Sequence, residues 1–381
     1  MDAKPTHDKP AEGSIDGLLG PIMLSAVSSL SIHLAPVVVL GMTTVSGFSP
    51  SNAGLVFSFR AVGEFVAACL LPMAVATGVG RLATAAFCIC LLSGLALASF
   101  GGLTGLFTGF LLVGISNGAL KLTGTISVSL HSNRAFAFAL RLALVLMLGG
   151  SATLMFQVFP IPASHAGLMG LVLAVHVPLL VAGMVLYRPP AVPDDVDFDA
   201  GDTQFAYSGM AIVFLFFVVV SGFVAFSAQQ AIAHGIAASQ AILAIGVAKL
   251  LAGLWLICEA FYLRKTNSSI ISPLMTGLLI AAVWAVYGSR NVIEFALAFL
   301  LLEIMLNRYS ARLQSAIVEA SPDLGMRTLN LSILGGSIVG PALFGLAVEW
   351  NLVVALVAVG SAVIALPLFW QRSARWRSKG A

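Results

Sequence analysis

Ionisable side chains set inside apolar sequence are where this chain could do chemistry. The stretch "FSFRAVGEFVAACL", residues 57–70, places Arg60 and Glu64 four positions apart in a run that is otherwise almost wholly apolar. Similar settings hold His33, Lys121, Arg141, His176, Lys249, Glu259 and Glu303. A charge at the centre of a bilayer costs at least ~3 kcal/mol on insertion scales, so such residues read by default as parts of a pathway or relay. Arg60 and Glu64 share a helix face and can pair one turn apart. That pairing suits a structural clamp near a gate as well as a substrate or proton role.

The signs are unevenly distributed. Arg60, Lys121 and Arg141 stand against Glu64 in the first half, and Lys249 stands against Glu259 and Glu303 in the second. Surplus guanidinium and ammonium groups need a counter-anion, and a carboxylate or phosphate cargo can be that anion. Lys121 and Arg141 have a second reading, as side chains that snorkel to the inner interface. Glu303 lies deep in its run with Asn307 one turn later, and a desolvated carboxyl group there suits proton uptake and release. Glu64 is the other candidate for proton coupling, and Asn307 joins the candidate substrate contacts. His33 could relay protons or bond substrate, or be a satisfied structural donor. Glu259 and Lys249 read as gate or interface groups.

Other chemistries find little support. Metal cargo needs several converging ligands; His165 and Met169 have helical spacing, but nothing else clusters in sequence. Cys69, Cys88, Cys90 and Cys258 all fall in apolar runs without CxxC spacing and read as packing residues. No GxxxxGKS/T pattern is present to support an internal ATPase. No Ser/His or paired-Asp constellation supports an enzyme, no cofactor is indicated, and a net charge of +3 says nothing of nucleic acid.

The elements that must position these groups are membrane helices. Hydrophobic residues make up 59% of the 381 and charged residues 9%, with a mean hydropathy of +1.01. A soluble domain carries about 25% charged residues. Apolar runs of ~20 residues recur from end to end, and irregular chain or open sheet cannot satisfy its backbone in lipid. A β-barrel needs alternation, which runs such as "MAIVFLFFVVVSGFVAF" lack.

About twelve spans are expected, near 18–42, 52–75, 82–100, 103–129, 135–158, 164–187, 206–231, 239–263, 269–288, 291–307, 326–347 and 350–370. With the N-terminus inside, the inner segments hold fourteen Lys and Arg residues and the outer loops hold only Arg290. That bias predicts cytoplasmic termini. The first apolar run lacks a clear cleavage pattern and reads as a retained span. The longest connection, "YRPPAVPDDVDFDAGDTQF", combines proline with five aspartates as a solvated linker. The expected organisation is a tail at 1–17, six spans over 18–187, a cytoplasmic linker at 188–205, six spans over 206–370 and a basic tail at 371–381. The halves echo each other: Arg134 precedes "MLGGSATL", and Arg327 precedes "LGGSIVGPALFG".

Over nearly its full length the chain resembles the major facilitator superfamily, by its twelve spans, inner termini and central cytoplasmic loop. In that family the loop between spans two and three carries a glycine, an acid and a base three residues on, then Gly-Arg. Here "MAVATGVGRLA" keeps Gly80 and Arg81 but has Met73 for the leading glycine and Thr77 for the acid. Gly114 replaces the arginine common in span four, and span five lacks the Gly-Pro of drug antiporters, while Gly340-Pro341 occurs in span eleven. The resemblance implies an all-α integral membrane protein of two pseudo-symmetric six-helix bundles with substrate held between them. It also implies that spans three, six, nine and twelve face mostly lipid, which the ionisable residues avoid apart from His176. Gly80 and Arg81 are carried over as gating residues.

The expected function is secondary active transport by alternating access in a bacterial inner membrane. The cargo is expected to be a small polar or anionic metabolite, with protons as coupling ion. The alternative is a proton-antiporting efflux pump for amphipathic drugs or secreted metabolites; a third reading is a non-transporting assembly factor or sensor.

Overall fold

The computed structural model describes residues 15–74, 80–100, 102–129, 134–159, 164–189, 203–263, 271–320 and 322–380. The central linker, the remainder of the loop before Gly80 and most of the N-terminal tail lie outside these residues. Among the described residues there are helices and no strands, as expected where every backbone group must be satisfied within its own segment.

The first span is made of two helices, α1 (Ile15–His33) and α2 (Ala35–Thr44), broken at Leu34. Five helices complete the first half: α3 (Pro50–Ala74), α4 (Arg81–Phe100), α5 (Gly102–Ser129), α6 (Arg134–Val158) and α7 (His165–Leu186). The second half comprises α8 (Thr203–Ala233), α9 (Ala238–Leu263), α10 (Pro273–Gly288), α11 (Val292–Ala320), α12 (Pro322–Glu349) and α13 (Val353–Gly380). Among the described residues ten stretches are long and apolar enough to cross a membrane and α10 is a shorter apolar helix; the helices lie within a few residues of the expected boundaries except at α11 and α13. The apolar run of α11 stops near Asn307, but the helix continues to Ala320 through "RYSARLQSAIVEA" as a polar extension. The helix α13 likewise continues into the basic tail.

Chain parity puts the start of α1 and the end of α13 on one side, called the near side below. Within the first half, α1 packs on α5, α6 and α7, and α4 packs on α5 and α7. Within the second, α8 packs on α12, α13 and α11, while α11 packs on α9 and α10. The halves meet along α6 with α9, α3 with α12, and α2 with α8. The two echoing glycine segments occupy equivalent places. Gly149 of α6 abuts the His33 side chain of the first span, and Gly336 of α12 abuts Phe214 and Phe217 of α8, the first span of its half. The same two helices also carry the contacts to the opposite half.

The far side is closed. There α2 lies on α8, the first turn of α3 meets α12 at Pro341 and Gly345, and Gln157 Nε2 donates to the Ser239 carbonyl at 2.6 Å. Towards the near side a groove opens between α3, α8 and α12. It is apolar, of about 680 Å³, and lined by Phe65 of α3, Met210 and Phe214 of α8, and Leu331 and Ile338 of α12. The α6–α9 seam stays in contact to its near end, where Phe136 and Phe261 meet at 5.5 Å.

Helices α3 and α5 touch backbone to backbone. A Cβ at Gly114 would fall on the Arg60 carbonyl oxygen, and one at Gly63 on that of Leu111. Small residues at such crossings are how membrane helices come close. Gly114→Ala should therefore force the pair apart and destabilise the protein by about 1–3 kcal/mol. A thermal melt in detergent checks this; an unchanged midpoint would mean that Gly114 does not set the spacing. The cysteines divide: Cys88 is buried, whereas Cys69 and Cys258 are exposed on the helix surface rather than packed inside.

Candidate functional site

The spacing of α3 and α5 brings the first set of charges together. Glu64 is fully buried near the middle of α3. One of its oxygens takes the Arg60 guanidinium, and the other takes Lys121 Nζ of α5 at 2.9 Å. Arg60 is 4% exposed, whereas the Lys121 side chain is 19% exposed. Asn117, one turn before Lys121, donates to Ser31 Oγ of α1 at 2.9 Å and ties the cluster to the first span. Two buried polar atoms here have no hydrogen-bond partner among the described residues, Arg60 Nε and Asn117 Oδ1.

Arg141 of α6 has no carboxylate within ion-pair distance among the described residues. Its Nε donates to Ser25 Oγ of α1 at 2.8 Å and its Nη1 to Thr125 Oγ1 of α5 at 2.9 Å. Thr125 in turn donates to the Lys121 carbonyl at 2.9 Å. The guanidinium is thus aimed by hydroxyl groups and keeps its charge uncompensated.

A second set joins the two halves. Lys249 of α9 is fully buried, with Nζ 4.0 Å from Glu303 Oε1 of α11 and 2.6 Å from the His33 carbonyl oxygen of α1. Asn307 donates back to the Glu303 backbone carbonyl at 2.7 Å and lies 3.4 Å from its carboxylate. The His33 ring sits within electrostatic reach of Lys249, Lys121 and Arg60, so the two sets share one region.

Glu259 meets Arg308 of α11 rather than standing alone. Their closest approach is 2.8 Å, but the N–H is not directed at the oxygen, so the contact is ionic without being a hydrogen bond. The sequence count of a surplus acid in the second half omitted Arg308, which lies inside the extended α11 and not in a loop. Arg312, one turn further along the same helix, adds a second cation beside Glu259. His176 is buried and bonded through Nδ1 to the Val172 carbonyl at 2.8 Å, a packed structural position. His165 bridges the Ala98 carbonyl at 2.9 Å and Ser46 Oγ at 3.0 Å. Because a carbonyl only accepts, its Nε2 carries the proton and Nδ1 receives the Ser46 hydroxyl. Gly80 and Arg81 are exposed at the start of α4, on the near side.

Sequence reasoning passed over Asn117, Ser25, Thr125 and Arg308. Helical spacing offered a signal for two of them: Asn117 and Thr125 stand four residues either side of Lys121. Ser25 had none, since only the packing of α1 on α6 brings it to Arg141.

A multi-helix membrane protein in two halves whose paired helices carry its inter-half contacts has the fold of the major facilitator superfamily. Solved structures of the same fold include the human organic anion transporter MFSD10 (TETRAN). It is 16% identical, with a TM-score of 0.66 over 95% of this chain and 100% of that one. The nucleoside transporter NupG is 14% identical, with a TM-score of 0.65 over 93% and 98%. A bacterial homolog of the human lysosomal transporter Spinster, in an inward-facing and occupied conformation, is 14% identical, with a TM-score of 0.61 over 95% and 98%. No protein-family model matches the sequence, and no curated protein is similar to it.

Proposed function

We propose that the protein is a secondary active transporter that moves a small organic anion by alternating access, with protons as the coupling ion. The observation that carries this reading is the charge surplus around α1, α3, α5 and α6. Arg60 and Lys121 share one carboxylate, Glu64, and Arg141 is presented by two hydroxyls with no acid in reach among the described residues. Guanidinium groups so held recognise carboxylate or phosphate through charge-assisted bonds. The organic anion and nucleoside carriers among the similar structures agree with a polar cargo. With the termini in the cytoplasm, as the Lys and Arg bias predicts, the closed far side supports reading this arrangement as inward-facing.

Glu303 is the proposed proton site. It is 2% exposed and meets its cation at 4.0 Å, whereas Glu64 is held by two cations at once. Glu64 is therefore the structural carboxylate and Glu303 the exchangeable one. The test is substrate-induced proton flux in proteoliposomes across a panel of organic anions, amino acids, sugars and lipophilic cations. Wild type should respond to an anion, and Glu303→Gln should lose proton flux with that anion. A response to lipophilic cations alone would replace this reading with drug efflux.

A further inference from the structure

The break in the first span has a local cause and an unusual consequence. Pro36 has no N–H to give and stands in the first turn of α2. The Val37 amide, which in an unbroken helix would close on the His33 carbonyl, donates instead to Leu34 O at 3.0 Å. The His33 carbonyl is thereby released from the backbone ladder, and a released carbonyl inside a membrane span must find another donor. It finds one in the opposite half of the molecule: Lys249 Nζ, at 2.6 Å. The counterpart span α8 runs unbroken from Thr203 to Ala233, so the fold itself does not require the break.

From this geometry we infer that Lys249 is a two-position tie between the halves, shared by the His33 carbonyl of α1 and the Glu303 carboxylate of α11, and that the charge on Glu303 decides which of the two holds it. This deepens the proton-coupled reading above and rests on it. Lys249 and Glu303 both belong to the second half, and only the carbonyl belongs to the first. An ionised Glu303 draws the ammonium into its own half and loosens the tie to α1. A neutral Glu303 leaves the carbonyl as the better acceptor, and the halves stay fastened at mid-span. The closed far side, with the ammonium at 2.6 Å from the carbonyl and 4.0 Å from the carboxylate, has the arrangement of the fastened position.

The surroundings leave few other groups to take this role. Of the helices packed on α11, α9 supplies Lys249 and the Glu259 that Arg308 engages. Helices α8, α10 and α12 bring no charge to Glu303 among the described residues; Asn307 adds a hydrogen bond. Around Lys249 the charge felt, among the described residues, is that of Glu303. On the α1 side the titratable neighbour is the His33 ring, which also senses Lys121 and Arg60. The crossing is tight enough for a short tie to matter: Gly149 of α6 meets the His33 side chain, and Gly150 meets Gly246, one turn before Lys249.

The experiment needs no cargo, so it stands or falls apart from the identity of the substrate. Spin labels are placed at Thr44→Cys on α2 and Ala238→Cys on α9, both exposed on the far side, in a background lacking the four native cysteines. The distance distribution is then recorded from about pH 5 to about pH 9, a window wide enough for a buried carboxyl to titrate. Wild type should move from the shorter to the longer distance as pH rises. Glu303→Gln should stay at the shorter distance throughout, and Lys249→Met at the longer. The double variant should follow Lys249→Met, and Lys249→Arg should recover part of the pH response. A plain structural ion pair would shift both single variants in the same direction, and that result would overturn the inference. So would a wild-type distribution that ignores pH, or a Lys249→Met variant that keeps the wild-type response. If Lys249→Met does not fold, Lys249→Arg and Glu303→Gln decide alone: a shared direction of shift refutes the tie, and a fixed short distance in Glu303→Gln with a retained response in Lys249→Arg supports it.

Discussion

Glu64→Gln should all but eliminate folded protein from the membrane, the largest loss expected of any single substitution here. The carboxylate answers two cations from two helices, Arg60 on its own turn and Lys121 on α5 at 2.9 Å. A glutamine keeps the shape and removes the charge. Arg60, 4% exposed, is then left without a counterion. Stranding one member of a buried pair costs about 3–5 kcal/mol, a large share of the ~5–15 kcal/mol that holds a typical protein folded. The companion Arg60→Gln/Glu64→Gln should recover much of the loss, because Lys121 is partly exposed and can turn its ammonium towards the near side. Monodisperse yield and thermal midpoint in detergent read both variants. A Glu64→Gln protein as stable as wild type would mean that the triad contributes no net ionic stabilisation.

Arg141→Gln should leave the fold intact and raise KM for the transported anion about tenfold to a hundredfold, the size of one lost charged hydrogen bond. Arg141 reaches no carboxylate among the described residues, so its removal strands no acid there; Ser25 and Thr125 lose a donor but remain hydroxyls that can bond elsewhere. Arg141→Lys should recover little. An ammonium cannot reproduce a planar fork held at two points by hydroxyls on different helices. Initial-rate uptake in proteoliposomes separates KM from kcat. An unchanged KM in Arg141→Gln would return Arg141 to the interfacial anchor that its place in the near half of α6 also suits.

The fold was legible because it follows from hydropathy, and hydropathy is local. Apolar runs and their polar interruptions place the helices, and the glycine echo between α6 and α12 marks the internal symmetry. Polarity misled where a helix left the lipid: "NRYSARLQ" reads as a loop, yet α11 continues through it. The break at Leu34 was not legible either, since prolines at 21, 178, 341 and 367 sit inside helices that continue through them. A proline alone does not tell a broken span from a continuous one; at Leu34 the carbonyl that the break releases is taken by Lys249.

The site divides in the same way. The Arg60–Glu64 pair followed from helical spacing alone. Nothing local says that Lys121 completes it, because that contact depends on how closely Gly63 and Gly114 let two helices approach. Nor could the sequence join Lys249, Glu303 and the His33 carbonyl, which the packing of three different helices brings together. Arg308 on Glu259 is a further pairing that appears once α11 is seen to continue.

Anion counterflow tests the central claim most directly. Proteoliposomes loaded with an unlabelled organic anion, without a pH gradient, are diluted into the same anion at trace labelled concentration. The account predicts transient accumulation of label that unloaded vesicles do not show, that a neutral analogue does not drive, and that Arg141→Gln weakens at low concentration. Accumulation driven equally by the neutral analogue, or seen only with a lipophilic cation, would contradict it.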